Sequence, residues 1–121
     1  MFDPSQFDYT DLEIEQASAE NRLLSLEIEF NRQCNYRCPY CYAVATENMC
    51  ANYDPQVIDT AVQQAAELGA RKIVILGGEP LLLRNLKEKV EKITALGMGA
   101  EIFTNGSIMT PELASFLYAK G

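Results

Sequence analysis

The chain has 121 residues, is 48% hydrophobic, and carries 17 acidic against 10 basic groups for a net charge of −7. That is one domain's worth or part of one, with enough apolar material to build a core, which argues against wholesale disorder. The composition offers no basic patch to recommend nucleic acid as a partner, no apolar run that approaches a membrane span, and at Met1-Phe2-Asp3-Pro4 neither the basic start nor the apolar centre of a signal peptide. A soluble cytoplasmic protein is the expectation that follows.

The acidity is uneven along the chain. Residues 1–22 hold Asp3, Asp8, Asp11, Glu13, Glu15 and Glu20 against Arg22 alone, so this segment carries −5 and the remainder −2. It reads as an acidic lead-in, either a docking tail or, more simply, a solvated approach to the fold, with a short helix from about Leu12 to Glu20. From Leu24 to Phe30 the sequence alternates as a strand does, with Leu24, Leu26, Ile28 and Phe30 on one face and Ser25, Glu27 and Glu29 on the other. Central parallel strands are usually apolar on both faces. Carboxylates on one face therefore put this strand either against a polar cavity or at an edge facing water.

Next comes Asn31 to Tyr42, N-R-Q-C-N-Y-R-C-P-Y-C-Y, with Cys34, Cys38 and Cys41 four and three residues apart. Thiolates on one short loop can converge on a single metal centre, and three of them suit an iron–sulfur cluster. Three ligands would leave one iron of a four-iron cluster open, and open positions are where metal sites do chemistry. Helical spacing would also align the three cysteines, but Pro39 disfavours a helical conformation at Cys38, so the segment reads as a loop. Disulfides are the weakest reading of these crowded cysteines in an intracellular chain.

Asp54-Pro55 then starts a helix, as N-cap and first-turn proline, with Ile58, Ala61, Val62, Ala65 and Ala66 on one stripe and Gly69 at its end. Ile73-Val74-Ile75-Leu76 is apolar throughout, as a buried parallel strand should be, and runs into Gly77-Gly78-Glu79-Pro80. A helix from about Asn85 to Leu96 carries Leu86, Val90 and Ile93 on one stripe. A third strand, Ala100-Glu101-Ile102-Phe103, leads into Thr104-Asn105-Gly106, and Thr110-Pro111-Glu112 opens a last helix. Leu68-Gly69 and Leu96-Gly97 lie 28 residues apart, the length of one βα unit with a short helix. Successive βα units imply a parallel sheet with right-handed crossovers, and polar chemistry at the C-terminal ends of its strands. The cysteine loop, Gly-Gly-Glu-Pro and Thr-Asn-Gly each follow a strand. The expected fold class is α/β, the first three βα units of a partial parallel barrel. Its strand edge would be open, so a truncated piece is expected.

With these motifs in order, the chain resembles the radical S-adenosylmethionine (radical SAM) enzymes over roughly residues 24–120. The family pattern C-x-x-x-C-x-aromatic-C is met by Cys34, Cys38, Tyr40 and Cys41, and the family's G-G-E-P by Gly77 to Pro80. The resemblance implies that the three thiolates hold a [4Fe–4S] cluster whose fourth iron is chelated by S-adenosylmethionine. Reductive cleavage then releases a 5′-deoxyadenosyl radical that abstracts hydrogen from a substrate. It further implies that Gly77, Gly78 and Glu79 hold the methionine amino group, that Tyr40 lies near the adenine, and that Thr104 and Asn105 are close to the cofactor. An electron donor such as flavodoxin or ferredoxin is implied as a partner, with no nucleic acid and no membrane. Residues 1–22 then form the lead-in, and 23–121 the N-terminal portion of the core domain. The family's ribose- and adenine-contacting motifs, and its substrate-binding elements, come from later strands.

The substrate expected from the likeness is a peptide or protein, with a small-molecule step of cofactor biosynthesis as the alternative. Two further alternatives belong to other classes. One is structural zinc with Cys50 as fourth ligand, although Cys34 and Cys50 do not make the second C-x-x-C pair that such sites usually have; Cys50 reads instead as a small buried hydrophobe. The other is a non-catalytic module that keeps a cluster for electron transfer or scaffolding.

Overall fold

The predicted elements occur in the predicted order. The structure, a computed structural model, describes residues 8–46, 48–49 and 53–121. In chain order these are α1 (Asp11–Ala19), β1 (Ser25–Glu29), α2 (Pro55–Glu67), β2 (Lys72–Leu76), α3 (Leu86–Ala95), β3 (Gly99–Ile102) and α4 (Pro111–Lys120). A short 3-10 turn at Pro80–Leu82, which the sequence pattern did not reveal, follows β2.

The sheet has the order β1-β2-β3 with both pairs parallel, Leu26 opposite Ile73 opposite Ala100, and Ile28 opposite Ile75 opposite Ile102. β2 is central, and its β-branched run explains this: Ile73, Val74 and Ile75 are all buried. Glu27 is exposed on β1, which has a single neighbouring strand among the described residues, and it lies on the sheet face opposite the one that Leu26 and Ile28 share with Ile73 and Ile75. One layer of helices covers one face. Ile58, Val62 and Ala65 of α2 and Leu86, Val90 and Ile93 of α3 close on Ile73 and Ile75. Each valine, leucine and isoleucine among these contributes about 1.5–3 kcal/mol by leaving water.

The caps are those the sequence announced. The Asp54 carboxylate accepts from Gln56 N–H at 2.9 Å, and the Thr110 hydroxyl oxygen from Leu113 N–H at 3.2 Å. α2 and α3 also end alike. Ala70 N–H donates to the Ala65 carbonyl and Gly69 N–H to that of Ala66; Met98 donates to Ile93 and Gly97 to Thr94 in the same pattern. This is one Schellman ending used twice, with both glycines at positive φ, so the 28-residue repeat is a repeat of backbone geometry. Between the two helices the Lys89 ammonium, 3% exposed as a residue, is paired with Asp59 and donates to the Pro55 carbonyl.

The described part of the acidic lead-in docks onto the fold instead of running free in solvent. Thr10 and Glu13 form a capping box at the start of α1: Glu13 N–H donates to the Thr10 hydroxyl at 3.2 Å, and Thr10 N–H to the Glu13 carboxylate at 2.9 Å. The Arg71 guanidinium donates to Glu13 at 3.0 Å and to the Asp8 carbonyl at 2.8 Å, and lies 4.6 Å from the Tyr9 ring centre. The Tyr9 hydroxyl donates to the Leu24 carbonyl at 2.7 Å. The segment is thereby tied to the N-terminal ends of β1 and β2, away from the three polar motifs. Asp3 lies outside the described residues, as does the start Met1 to Pro4. Among the described residues, no helix is long and apolar enough to cross a membrane.

Candidate cofactor site at the strand ends

Backbone pairing of β1 with β2 continues past the strands and carries the cysteine loop to its place. Phe30 N–H donates to Leu76, Gly78 N–H to Asn31, and Glu79 N–H to Gln33, at 3.0, 3.0 and 2.8 Å. The glycines of Gly77-Gly78 are explained by this pairing. A Cβ on Gly77 would collide with the Asn31 side-chain and backbone oxygens, and one on Gly78 with the Gln33 carbonyl. The close approach that only glycine permits is thus between two stretches of the chain's own backbone. Asn31 is fully buried; its amide donates to the Glu79 carbonyl at 3.1 Å, and its Oδ1 has no hydrogen-bond partner among the described residues.

The cysteine segment is a loop, as Pro39 indicated. Its neck is closed by Cys34 N–H donating to the Thr46 carbonyl at 3.1 Å, beside a bridge between Gln33 and Thr46. Inside the loop two turns follow one another: Cys41 N–H donates to the Cys38 carbonyl, and Val44 N–H to that of Cys41. Val44 is held at φ +48, a left-handed conformation that a β-branched residue seldom takes. Cys34, Cys38 and Cys41 are free thiols, each partly exposed. The backbone N–H groups of Ala45, then those of Ala43 and Val44, outweigh burial and hold the Cys41 thiol below its ordinary value, with a smaller contribution from the Arg32 guanidinium. Thiolates are the metal-binding form, so this environment suits a ligand. Arg32 itself is fixed by donating to the Ala43 carbonyl at 2.6 Å. Tyr36 N–H lies 3.4 Å from the Cys34 sulfur, so this thiol too has a backbone donor beside it. Among the described residues, no three Cys, His, Asp or Glu side chains close on one point as the ligands of a single ion do. Cys50, fourth ligand of the zinc alternative, lies outside the described residues.

The three motifs meet around one cavity of about 320 Å³, a volume in the range of small-molecule sites. Cys38, Tyr40 and Cys41 line it from the cysteine loop, Gly77 and Gly78 from the end of β2, and Thr104 and Asn105 from the end of β3. Of the residues expected at the cofactor, Cys34 and Glu79 do not line it. Cys34 stands at the neck of the loop, and Glu79 is 1% exposed. Tyr42 and Phe103 line the cavity and were not anticipated; both are largely exposed aromatics beside a motif, and that adjacency was the available signal. Asn35 was also missed. Its amide oxygen accepts from Asn105 at 3.0 Å, and its amide nitrogen donates to Ser107 at 2.9 Å, which joins the cysteine loop to the end of β3.

Comparison with known proteins finds a family, curated relatives and solved structures that the chain resembles. The family model of the Radical SAM superfamily matches residues 28–120. A probable GTP 3′,8-cyclase of Thermoplasma volcanium is 35% identical over 99 residues, covering 82% of this chain and 30% of that protein. An S-adenosylmethionine-dependent nucleotide dehydratase of Flammeovirga pacifica is 32% identical over 100 residues, covering 78% of this chain and 34% of that protein. The chain therefore spans about a third of the length of these curated relatives. Among solved structures, Streptococcus suis SuiB bound to the precursor peptide SuiA matches with a TM-score of 0.68 at 20% identity, covering 86% of this chain and 24% of that one. At that identity the likeness shows the fold alone, a parallel βα arrangement in common. The superfamily is one of enzymes, and its cofactors are a [4Fe–4S] cluster and S-adenosylmethionine. The chain belongs to the radical SAM superfamily.

Proposed function

We propose that the chain supplies the cluster-binding and methionine-binding part of a radical SAM enzyme that acts on a nucleotide or a related small molecule. The observation that carries this reading is that the cysteine loop, Gly-Gly-Glu-Pro and Thr-Asn-Gly come together at the C-terminal strand ends, where barrel enzymes place their chemistry. In this reading Cys34, Cys38 and Cys41 hold the cluster. Tyr40, Gly77, Gly78, Thr104 and Asn105 form the wall that receives S-adenosylmethionine. When bound, the two cofactors together supply a 5′-deoxyadenosyl radical for hydrogen abstraction. The backbone donors around Cys41 and the nearby Arg32 guanidinium favour the ionised sulfur. The aromatic rings of Tyr40 and Tyr42 at the mouth offer surfaces for an adenine and a barrier to water. One electron per turnover comes from an external donor of the flavodoxin or ferredoxin type.

The substrate class follows the relatives above 30% identity, whose names specify GTP or a nucleotide. The peptide substrate expected first from the sequence is supported only by a fold likeness at 20% identity, so the two expectations change places. The test uses the full-length protein, reconstituted anaerobically. Under reducing conditions S-adenosylmethionine should be cleaved to 5′-deoxyadenosine, and deuterium from a labelled nucleoside triphosphate should appear in that product. Deuterium arriving from a peptide, and from no nucleotide, would restore the peptide reading. Stoichiometric zinc without iron would replace the enzyme by a structural site. A cluster whose EPR signal ignores S-adenosylmethionine would leave a binding module.

A further inference from the structure

Every polar atom of Glu79 is engaged by the chain itself. Its N–H donates to the Gln33 carbonyl at 2.8 Å, and its carbonyl accepts from the Asn31 amide at 3.1 Å. Oε1 accepts from Leu81 N–H at 2.9 Å and from the Thr104 hydroxyl at 2.6 Å, and Oε2 accepts from Asn105 N–H at 2.8 Å. A carboxylate offers about four acceptor positions, so three are filled. The residue is 1% exposed and does not line the cavity, so its carboxylate is turned into the chain and away from the space a cofactor would fill. The network continues outward. Asn105 donates to Asn35, Asn35 donates to Ser107, and Ser107 N–H donates back to the Asn105 side-chain oxygen at 2.9 Å. One buried carboxylate therefore fixes the end of β3 against the end of β2 and, through Asn105 and Asn35, fixes the cysteine loop against both.

We propose that Glu79 is a positioning residue: it builds the Thr104-Asn105 wall of the cofactor cavity and latches the cysteine loop to it, and does not itself grip the methionine amino group. The inference rests on the functional reading above only where cofactor binding is concerned; the network exists in the chain alone. Geometry explains why glutamate is required. Three neutral donors converge on two oxygens, and Glu79→Gln would turn an amide N–H₂ toward at least one of them, donor against donor. An unpaired buried donor is costly, so the wall would open.

The test compares Glu79→Gln with the unaltered full-length protein in two measurements. Amide hydrogen exchange at Asn105, read without cluster or cofactor, should accelerate by about tenfold or more in the variant. Binding of S-adenosylhomocysteine, which keeps the amino group, and of 5′-methylthioadenosine, which lacks it, should weaken by similar factors. Unchanged exchange at Asn105, together with a loss confined to S-adenosylhomocysteine, would overturn the proposal and make Glu79 a direct ligand. Should the glutamine variant fail to fold, Thr104→Val removes one donor and leaves Glu79 in place. Asn105 exchange should still rise severalfold, and unchanged exchange there would equally overturn the proposal. Failure of the unaltered protein to bind either nucleoside would count against the proposed cofactor site and leave the exchange result standing.

Discussion

At the C-terminal ends of the strands the carboxylate of Glu79 is buried and met by neutral donors, Leu81 N–H, Asn105 N–H and the Thr104 hydroxyl. At the N-terminal ends the charged groups stay partly exposed and pair with one another, Arg71 with Glu13 at 3.0 Å and Lys72 with Glu101 at 2.7 Å. The same short sheet thus ends in a hydrogen-bonded mesh around one buried carboxylate on one side and a screened surface network on the other. Surface ion pairs contribute little, whereas buried and fully satisfied networks specify one geometry. The end that must hold a loop of cysteines at fixed positions is the end built as a mesh.

Substitutions at the two ends should therefore differ in size. Gly77→Ala has the largest expected effect, a loss of about 3 kcal/mol or more in denaturant unfolding, because its Cβ would meet backbone and a buried amide that cannot move aside. Gly97→Ala is the control: its φ is +79 but nothing lies within 4 Å, so only the conformational cost of about 1–2 kcal/mol applies. Equal losses at the two glycines would remove the packing account of Gly77. At the other end, Thr10→Ala breaks the capping box of α1 and should cost about 1 kcal/mol, with increased exchange confined to α1 and the Arg71 contact. Val44→Gly should leave cluster content intact and raise stability by up to about 1 kcal/mol, since the left-handed conformation at Val44 is strained and glycine adopts it freely. Lower stability in that variant would mean that the valine side chain has a packing role.

The smallest effect is one of pH. The backbone N–H of Thr10 outweighs burial and, aided by the Thr10 hydroxyl and Arg71, holds the Glu13 carboxyl below its ordinary value. A depressed carboxyl contributes stability that is present above its unfolded-state value and lost as pH falls through the folded one. Acidification through that window should loosen α1 before the rest of the sheet, as read by exchange along the chain, and Glu13→Gln should abolish the pH dependence of that loosening. Loosening at the β3 loop ahead of α1 would invert the comparison of the two ends.

Much of this organisation was legible in the sequence, for local reasons. The alternation at Leu24–Phe30, the apolar run at Ile73–Leu76 and the caps at Asp54, Thr110, Gly69 and Gly97 are written in neighbouring residues. The placement of each motif after a strand followed from them. What escaped depends on contacts between distant residues. That Gly77 and Gly78 are pressed against Asn31 and Gln33, that the Glu79 carboxylate belongs to Thr104 and Asn105, and that Arg71 anchors the acidic segment by Asp8, Tyr9 and Glu13 could not be read from spacing. The Thr10-x-x-Glu13 box, by contrast, is local and readable in four residues.

Whether the cysteine loop holds an iron–sulfur cluster open to S-adenosylmethionine is decided by iron and sulfide content with EPR in the reconstituted full-length protein and its cysteine variants. The expected result is about four irons at this loop, a reduced signal that changes when S-adenosylmethionine is added, loss of both in Cys34→Ala, Cys38→Ala and Cys41→Ala, and retention of both in Cys50→Ala. Equal loss at Cys50, or zinc in place of iron, would contradict it.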